Sequence, residues 1–152
     1  WVSNGIKSAG PIILITGAGG AFGNILRSTS LGDSISQQLI SWEIGIFLPF
    51  LIAAFLKTAQ GSSTVSIITT AAMIAPMLDS LGLSSEMGKV LVVLSIGAGA
   101  MTVSHLNDSY FWVVSQFSTM NTSTALRCHT VTTLLQGITG ILFIQIFSLC
   151  IL

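Results

Sequence analysis

The sequence predicts an all-α, polytopic membrane protein with a re-entrant hairpin and a discontinuous helix. Three observations carry this. Only 7% of the 152 residues are charged and 51% are hydrophobic, whereas a soluble domain carries about 25% charged residues. The apolar residues fall into long runs punctuated by the few charges. Two of those runs are broken in mid-course by clusters of polar residues and glycine.

The first run, 8–26, lies between Lys7 and Arg27. At about 19 residues it can span a hydrocarbon core of about 30 Å. The second region, expected to be the hairpin, covers 42–78. Its arms, Ile44 to Leu56 and Val65 to Leu78, are each too short to span, and "KTAQGSST" separates them. As one continuous helix they would be too long and would break at Gly61. Irregular backbone at membrane depth is tolerated only where it is buried in protein or lines a cavity. The third region, 88–120, holds "SHLNDS" in the middle of an apolar segment. It reads as two half-helices, Gly88 to Ala100 and Ser109 to Met120, joined by an unwound link. Asn121 to His129 reads as a polar connection, and 130–152 as a final span.

Composition also excludes classes of function. Five basic and five acidic residues give a net charge of zero, so the basic patch of a nucleic-acid binder is missing. Cys128 and Cys150 lack ligand spacing and read as small packing residues. One histidine and one carboxylate in the link are too few for a metal site, and no cofactor is expected. "GAGGAFG" has Phe22 where the third glycine of a dinucleotide fingerprint belongs; it reads as close helix packing through Gly19 and Gly23. Chain orientation is not legible, because the basic residues divide evenly between the two sides.

Two clusters carry the chemistry. At the hairpin tip, Lys57 is an ammonium near membrane mid-depth, where a charge costs about 3 kcal/mol on insertion scales. Ser62, Ser63 and Thr64 begin the second arm, whose free N–H groups and dipole favour an anion. Gly61 permits a tight turn and a close approach to the backbone. With the Gln60 amide, the three hydroxyls can both donate to and accept from a polyol. The same residues also suit plain helix capping, and a lysine can snorkel to the membrane surface. In the link, His105 and Asp108 are three residues apart and would share a face if helical. Such a pair inside a membrane suits a proton relay. Asn107 can bind hydroxyls from either end of its amide, and Asp108 also suits capping of the second half-helix.

The stretches "KTAQGSSTVSIITTAAMIAP", "SHLNDSYFWVVSQFS" and "GAGGAFGNILRSTSLGD" together resemble the gluconate permease family of proton-linked sugar-acid transporters. The resemblance implies a multi-pass symporter of the cell inner (plasma) membrane, not an enzyme. It implies, more loosely, an ion-transporter-like fold of inverted repeats, each contributing a re-entrant hairpin and a broken helix. The chain begins at Trp1 with no signal pattern before its first apolar run. It is expected to be a single transmembrane domain, 1–152, the C-terminal portion of a longer permease whose N-terminal repeat is its missing partner.

On this reading the substrate is gluconate or a related sugar acid carried with protons, with the lipid bilayer as solvent; self-association into a homo-oligomer is left open. Lys57 and the tip N–H groups of Gln60 to Thr64 would attract the carboxylate. The side chains of Gln60, Ser62, Ser63, Thr64 and Asn107 would hold hydroxyls, and Asp108 with His105 would carry the proton. The rivals are a permease for another hydroxylated acid such as D-serine, a channel or sodium-coupled carrier using Asp108 and the link carbonyls, a membrane-embedded hydrolase using His105 and Asp108, and a non-catalytic membrane subunit or pseudogene product.

Overall fold

The computed structural model describes residues 45–151, together with Ser3 and Ile6. The expected span 8–26, with its glycines, and the first residues of the hairpin, 42–44, lie outside them. Among the described residues every regular element is helical.

Helix α1 (Phe47–Gln60) and helix α2 (Ser63–Ile74) meet at Gly61. Gly61 has φ 74° and its N–H bonds the Lys57 carbonyl at 2.8 Å, the left-handed cap that commonly closes a helix. Ser62 follows in extended conformation, and its hydroxyl accepts the Val65 N–H, so it caps α2. The glycine therefore ends one helix and the serine starts the next within two residues. The arms then fold back on each other: Ser66 of α2 donates to the Ala53 carbonyl of α1 at 2.6 Å. At about 1.5 Å per residue, α1 is about 21 Å long and α2 about 18 Å, well short of a bilayer core. Pro76 lies in a 3-10 turn (Ala75–Met77) that ends the second arm.

Helix α3 (Glu86–Ala100) begins at the cap Ser85, with Glu86 paired to Lys89 in its first turn. It packs on both arms of the hairpin and on the last helix. Ser95 ties it to the start of α1 through the Ile46 carbonyl at 2.6 Å. Residues 101–108 are non-helical, and helix α4 (Ser109–Phe117) follows, capped by the Asp108 carboxylate on the Tyr110 N–H. The core gathers Phe50 and Ala53 of α1, Ile74 of α2, Leu91 and Ile96 of α3, and Ile141 and Ile144 of the last helix.

The last helix starts earlier than the apolar pattern suggests. Asn121 caps a short helix α5 (Thr122–Ala125), which runs through a π-helical turn (Leu126–Thr130) into α6 (Val131–Ile151). The expected polar connection 121–129 is thus helical: an Asn cap and a run of helix-compatible residues outweigh polarity. From Thr122 to Cys150 this helix is 29 residues long and apolar enough to cross a membrane. Large apolar side chains stand outward on α6, Leu135, Phe143 and Phe147 among them, as they do on α3 at Val93 and Leu94. Cys128 and Cys150 are also exposed rather than packed.

Glycine sets the closeness of α3 to α1. A Cβ on Gly99 would lie 2.3 Å from the Phe50 carbonyl oxygen, whereas one on Gly97 would meet nothing within 4 Å. Gly99→Ala is therefore expected to force the helices apart and lower thermal stability in detergent. Gly97→Ala, two residues earlier and on the opposite face of α3, is expected to be neutral or to stabilise by up to about 1 kcal/mol. Equal effects of the two variants would contradict this packing.

Candidate functional site

The break in the hairpin and the non-helical link are brought together. Lys57, in the last turn of α1, is 2% exposed, and its ammonium lies 2.5 Å from Oδ2 of Asp108, itself 4% exposed. The same ammonium donates to the Gly61 carbonyl at 3.3 Å. The Ser104 hydroxyl donates to the same Asp108 oxygen, while Oδ1 accepts the Tyr110 N–H at 2.9 Å. The carboxylate thus receives an ammonium, a hydroxyl and a backbone amide. A buried charge is tolerable only with this kind of pairing and hydrogen bonding.

The link that carries Asp108 is held from outside itself. Val103 has φ 47°, a backbone region that β-branched residues avoid. The strain of about 1–3 kcal/mol that such a residue stores needs surrounding structure to hold it. Two threonines of the long last helix do so. The Ser104 N–H donates to Thr133 Oγ1 at 3.0 Å, and Thr130 Oγ1 donates to the Ser104 carbonyl at 2.6 Å.

On its other side the link caps the hairpin. Asn107 Nδ2 donates to the Thr58 and Ala59 carbonyls at 2.9 and 3.3 Å. His105 Nε2 lies 3.1 Å from the Thr58 carbonyl, and a carbonyl only accepts, so this nitrogen carries the proton. Both side chains satisfy carbonyls that the end of α1 leaves free. Gly61 lies against the Asn107 backbone so closely that a Cβ would come 2.2 Å from its carbonyl oxygen. Because the link is not helical, His105 and Asp108 do not share a helix face. Nor do Ser104, His105 and Asp108 form a relay, since the serine hydroxyl bonds the aspartate while the imidazole bonds Thr58.

A cavity of 280 Å³ opens beside the ion pair, near the lower end of ligand pockets, which run from about 300 to 1,000 Å³. Lys57, Ser63 and Asp108 line it, so three of the predicted residues share one space. The starts of α2 and α4 reach it through Ser63 and Tyr110. The predicted residues Gln60, Gly61, Ser62, Thr64, His105 and Asn107 are not among its lining. The remaining wall comes from Met101 and Ser104 of the link and from His129, Thr132, Thr133 and Gln136 of the long helix. Those four polar residues were not predicted. Their signal is in the sequence as spacing: 129, 132, 133 and 136 fall on one helical face, but they are divided there between a polar connection ending at His129 and a uniform span from 130.

The comparisons with known proteins fit these features. The family model for GntP family permeases matches residues 1–150. The chain belongs to the GntP permease family. A gluconate permease of Pseudomonas aeruginosa is 36% identical over 139 residues, covering 91% of this chain and 30% of that protein. The D-serine transporter DsdX of Escherichia coli K12 is 34% identical, covering 91% of this chain and 31% of its own. A gluconate permease of Bacillus subtilis is 31% identical, covering 98% and 33%. The chain therefore spans about a third of the length of the curated relatives it matches. No solved structure matches it. Members of this family are permeases rather than enzymes, and the chain is a membrane protein.

The ion pair makes a direct prediction. Lys57→Met or Asp108→Asn in the full-length protein leaves one buried charge without its partner, a loss of about 3–5 kcal/mol. The double variant is expected to recover much of that loss in thermal unfolding in detergent. Strictly additive losses would show that the two charges do not interact.

Proposed function

We propose that this chain contributes one repeat's share of the substrate site in a secondary transporter for gluconate or a related hydroxylated acid, coupled to protons. The observation that carries the reading is the buried Lys57–Asp108 pair on the wall of a cavity reached by two helix starts. A permanent cation beside helix N-termini is what an anionic substrate requires. The printed names of the relatives, gluconate permeases and a D-serine transporter, support small hydroxylated acids as the substrate class.

In this reading α1 and α2 are the arms of a re-entrant hairpin. The chain α3–link–α4 is a discontinuous membrane helix, and both belong to one of two inverted repeats in the inner membrane. The shortness of the arms supports this, as does burial of the Gly61 break against the link. The other repeat would complete the site.

Coupling follows from charge. In the empty site Lys57 is neutralised by Asp108. When a substrate carboxylate replaces Asp108 as the partner of Lys57, the aspartate is left as an unpaired buried anion, an arrangement costly by several kcal/mol. A proton on Asp108 removes that cost. One anion and one proton enter together, so the empty and the loaded site are both neutral, and both can cross the core. The proton is placed on Asp108 because that is the group left unpaired when the substrate takes Lys57; His105 lies against the Thr58 carbonyl, away from that exchange. The donors around Asp108, an ammonium, a hydroxyl and an amide, favour proton over sodium coupling. A sodium ion needs oxygen acceptors, and Lys57 stands where it would bind. Of the tip hydroxyls, Ser63 is assigned to the substrate; Gln60, Ser62, Thr64 and Asn107 are assigned to shaping the tip.

Uptake of labelled gluconate by transporter-deficient cells expressing the full-length protein tests this. Accumulation is expected to rise at acidic outside pH and to collapse with a protonophore. Asp108→Asn is expected to abolish uphill accumulation. Uptake that follows sodium would overturn proton coupling, and no uptake by protein present in the membrane would overturn gluconate as the substrate.

A further inference from the structure

The long last helix contributes a face to the cavity that the charge argument does not use. We propose that His129, Thr132 and Gln136 form the wall that recognises the hydroxyls of the substrate, opposite the ammonium that holds its carboxylate. The proposal rests on the transporter reading above and deepens it: it names the residues that set how long a hydroxylated chain is accepted.

Three independent observations point there. His129 Nε2 is buried, yet it has no hydrogen-bond partner among the described residues, and the side chain lines the cavity. A buried polar atom left unpaired costs about 1–3 kcal/mol, so a turn of this ring that brings Nε2 onto a ligand group in the adjoining cavity is favoured. Its ring is also held in position, with Tyr110 and Phe111 at centroid distances of 5.6 and 6.0 Å.

The second observation is the π-helical turn. Leu126–Thr130 interrupts an otherwise regular helix at the segment carrying His129. Such turns shift the facing of the residues they contain and are frequent at functional sites.

The third is the division of labour among the neighbouring polar residues. Thr133 is committed to the link, accepting from the Ser104 N–H and donating to the Thr130 carbonyl. Thr132 and Gln136 line the same cavity, and neither side chain is hydrogen-bonded among the described residues. A neutral imidazole nitrogen, a hydroxyl and an amide together supply donors and acceptors, as a row of alcohols requires, and add no charge to the site. Residues 129 and 136 are two helical turns apart, a ladder about 10 Å long. That length suits an extended polyhydroxy acid, whereas a three-carbon hydroxy acid anchored at Lys57 would reach only part of it.

The test is affinity for a series of straight-chain hydroxylated acids, from glycerate through to gluconate, measured on the purified full-length protein. In the wild type, affinity is expected to rise with each added hydroxyl-bearing carbon. Gln136→Leu, at a position exposed among the described residues, is expected to flatten that rise. It should cost about five- to tenfold for gluconate and leave glycerate within about twofold. His129→Phe is expected to act in the same direction. An unchanged slope in Gln136→Leu, or an equal loss for every acid in the series, would overturn the wall. A wild-type protein that binds none of these acids would instead overturn the transporter reading, and the wall with it.

Discussion

Lys57 and Asp108 lie 51 residues apart in the chain, and neither is tolerable in a low-dielectric interior without the other. That constraint orders the rest of the structure. For the ammonium to meet the carboxylate, the tip of one helical hairpin must touch a non-helical link between two other helices. Both partners therefore sit where the backbone is already broken. There the free carbonyls and amides of helix ends need partners of their own, and they find them across the contact. Asn107 and His105 take the carbonyls at the end of α1, and Asp108 takes an amide at the start of α4. The polar groups that look misplaced in an oily sequence satisfy one another.

Rigidity around the pair comes from elsewhere. Glycine lets the hairpin tip rest on the link backbone and lets α3 lie close against α1. The threonines of the last helix hold the link in a conformation that Val103 would not adopt unaided. The longest helix among the described residues is thus also the brace of the site. A brace on one side and an ion pair on the other give an arrangement in which exchange of a counter-ion need not dismantle the fold. In the proposed mechanism, the contact that the substrate replaces is the one between Lys57 and Asp108.

Much of this was legible in the sequence, and the parts that were not have identifiable causes. The two breaks were visible because Gly61 and "SHLNDS" interrupt apolar runs. The caps at Ser62 and Asp108 followed from residue type and position. Lys57 and Asp108 were each singled out, but with separate tasks, because nothing in one sequence records a contact between residues 51 positions apart. His105 and Asp108 were expected on one helix face, and the unwound link removes that geometry. The start of the last helix was misplaced because polar residues at 121–129 read as a connection, whereas Asn121 opens a helix. The polar face of that helix is hard to read because His129 closes a polar stretch while Thr132, Thr133 and Gln136 lie in a run read as a span, and only their three- and four-residue spacing unites them.

The central claim is that the substrate carboxylate replaces Asp108 as the partner of Lys57 while Asp108 takes up a proton. Proton release or uptake on binding measures this directly. Gluconate is added to the purified full-length protein in weakly buffered solution near neutral pH, and the pH change is recorded. The account predicts uptake of about one proton for each gluconate bound, and no uptake in Asp108→Asn under conditions where that variant still binds. Binding without proton uptake in the wild type, or undiminished uptake in the variant, would contradict it.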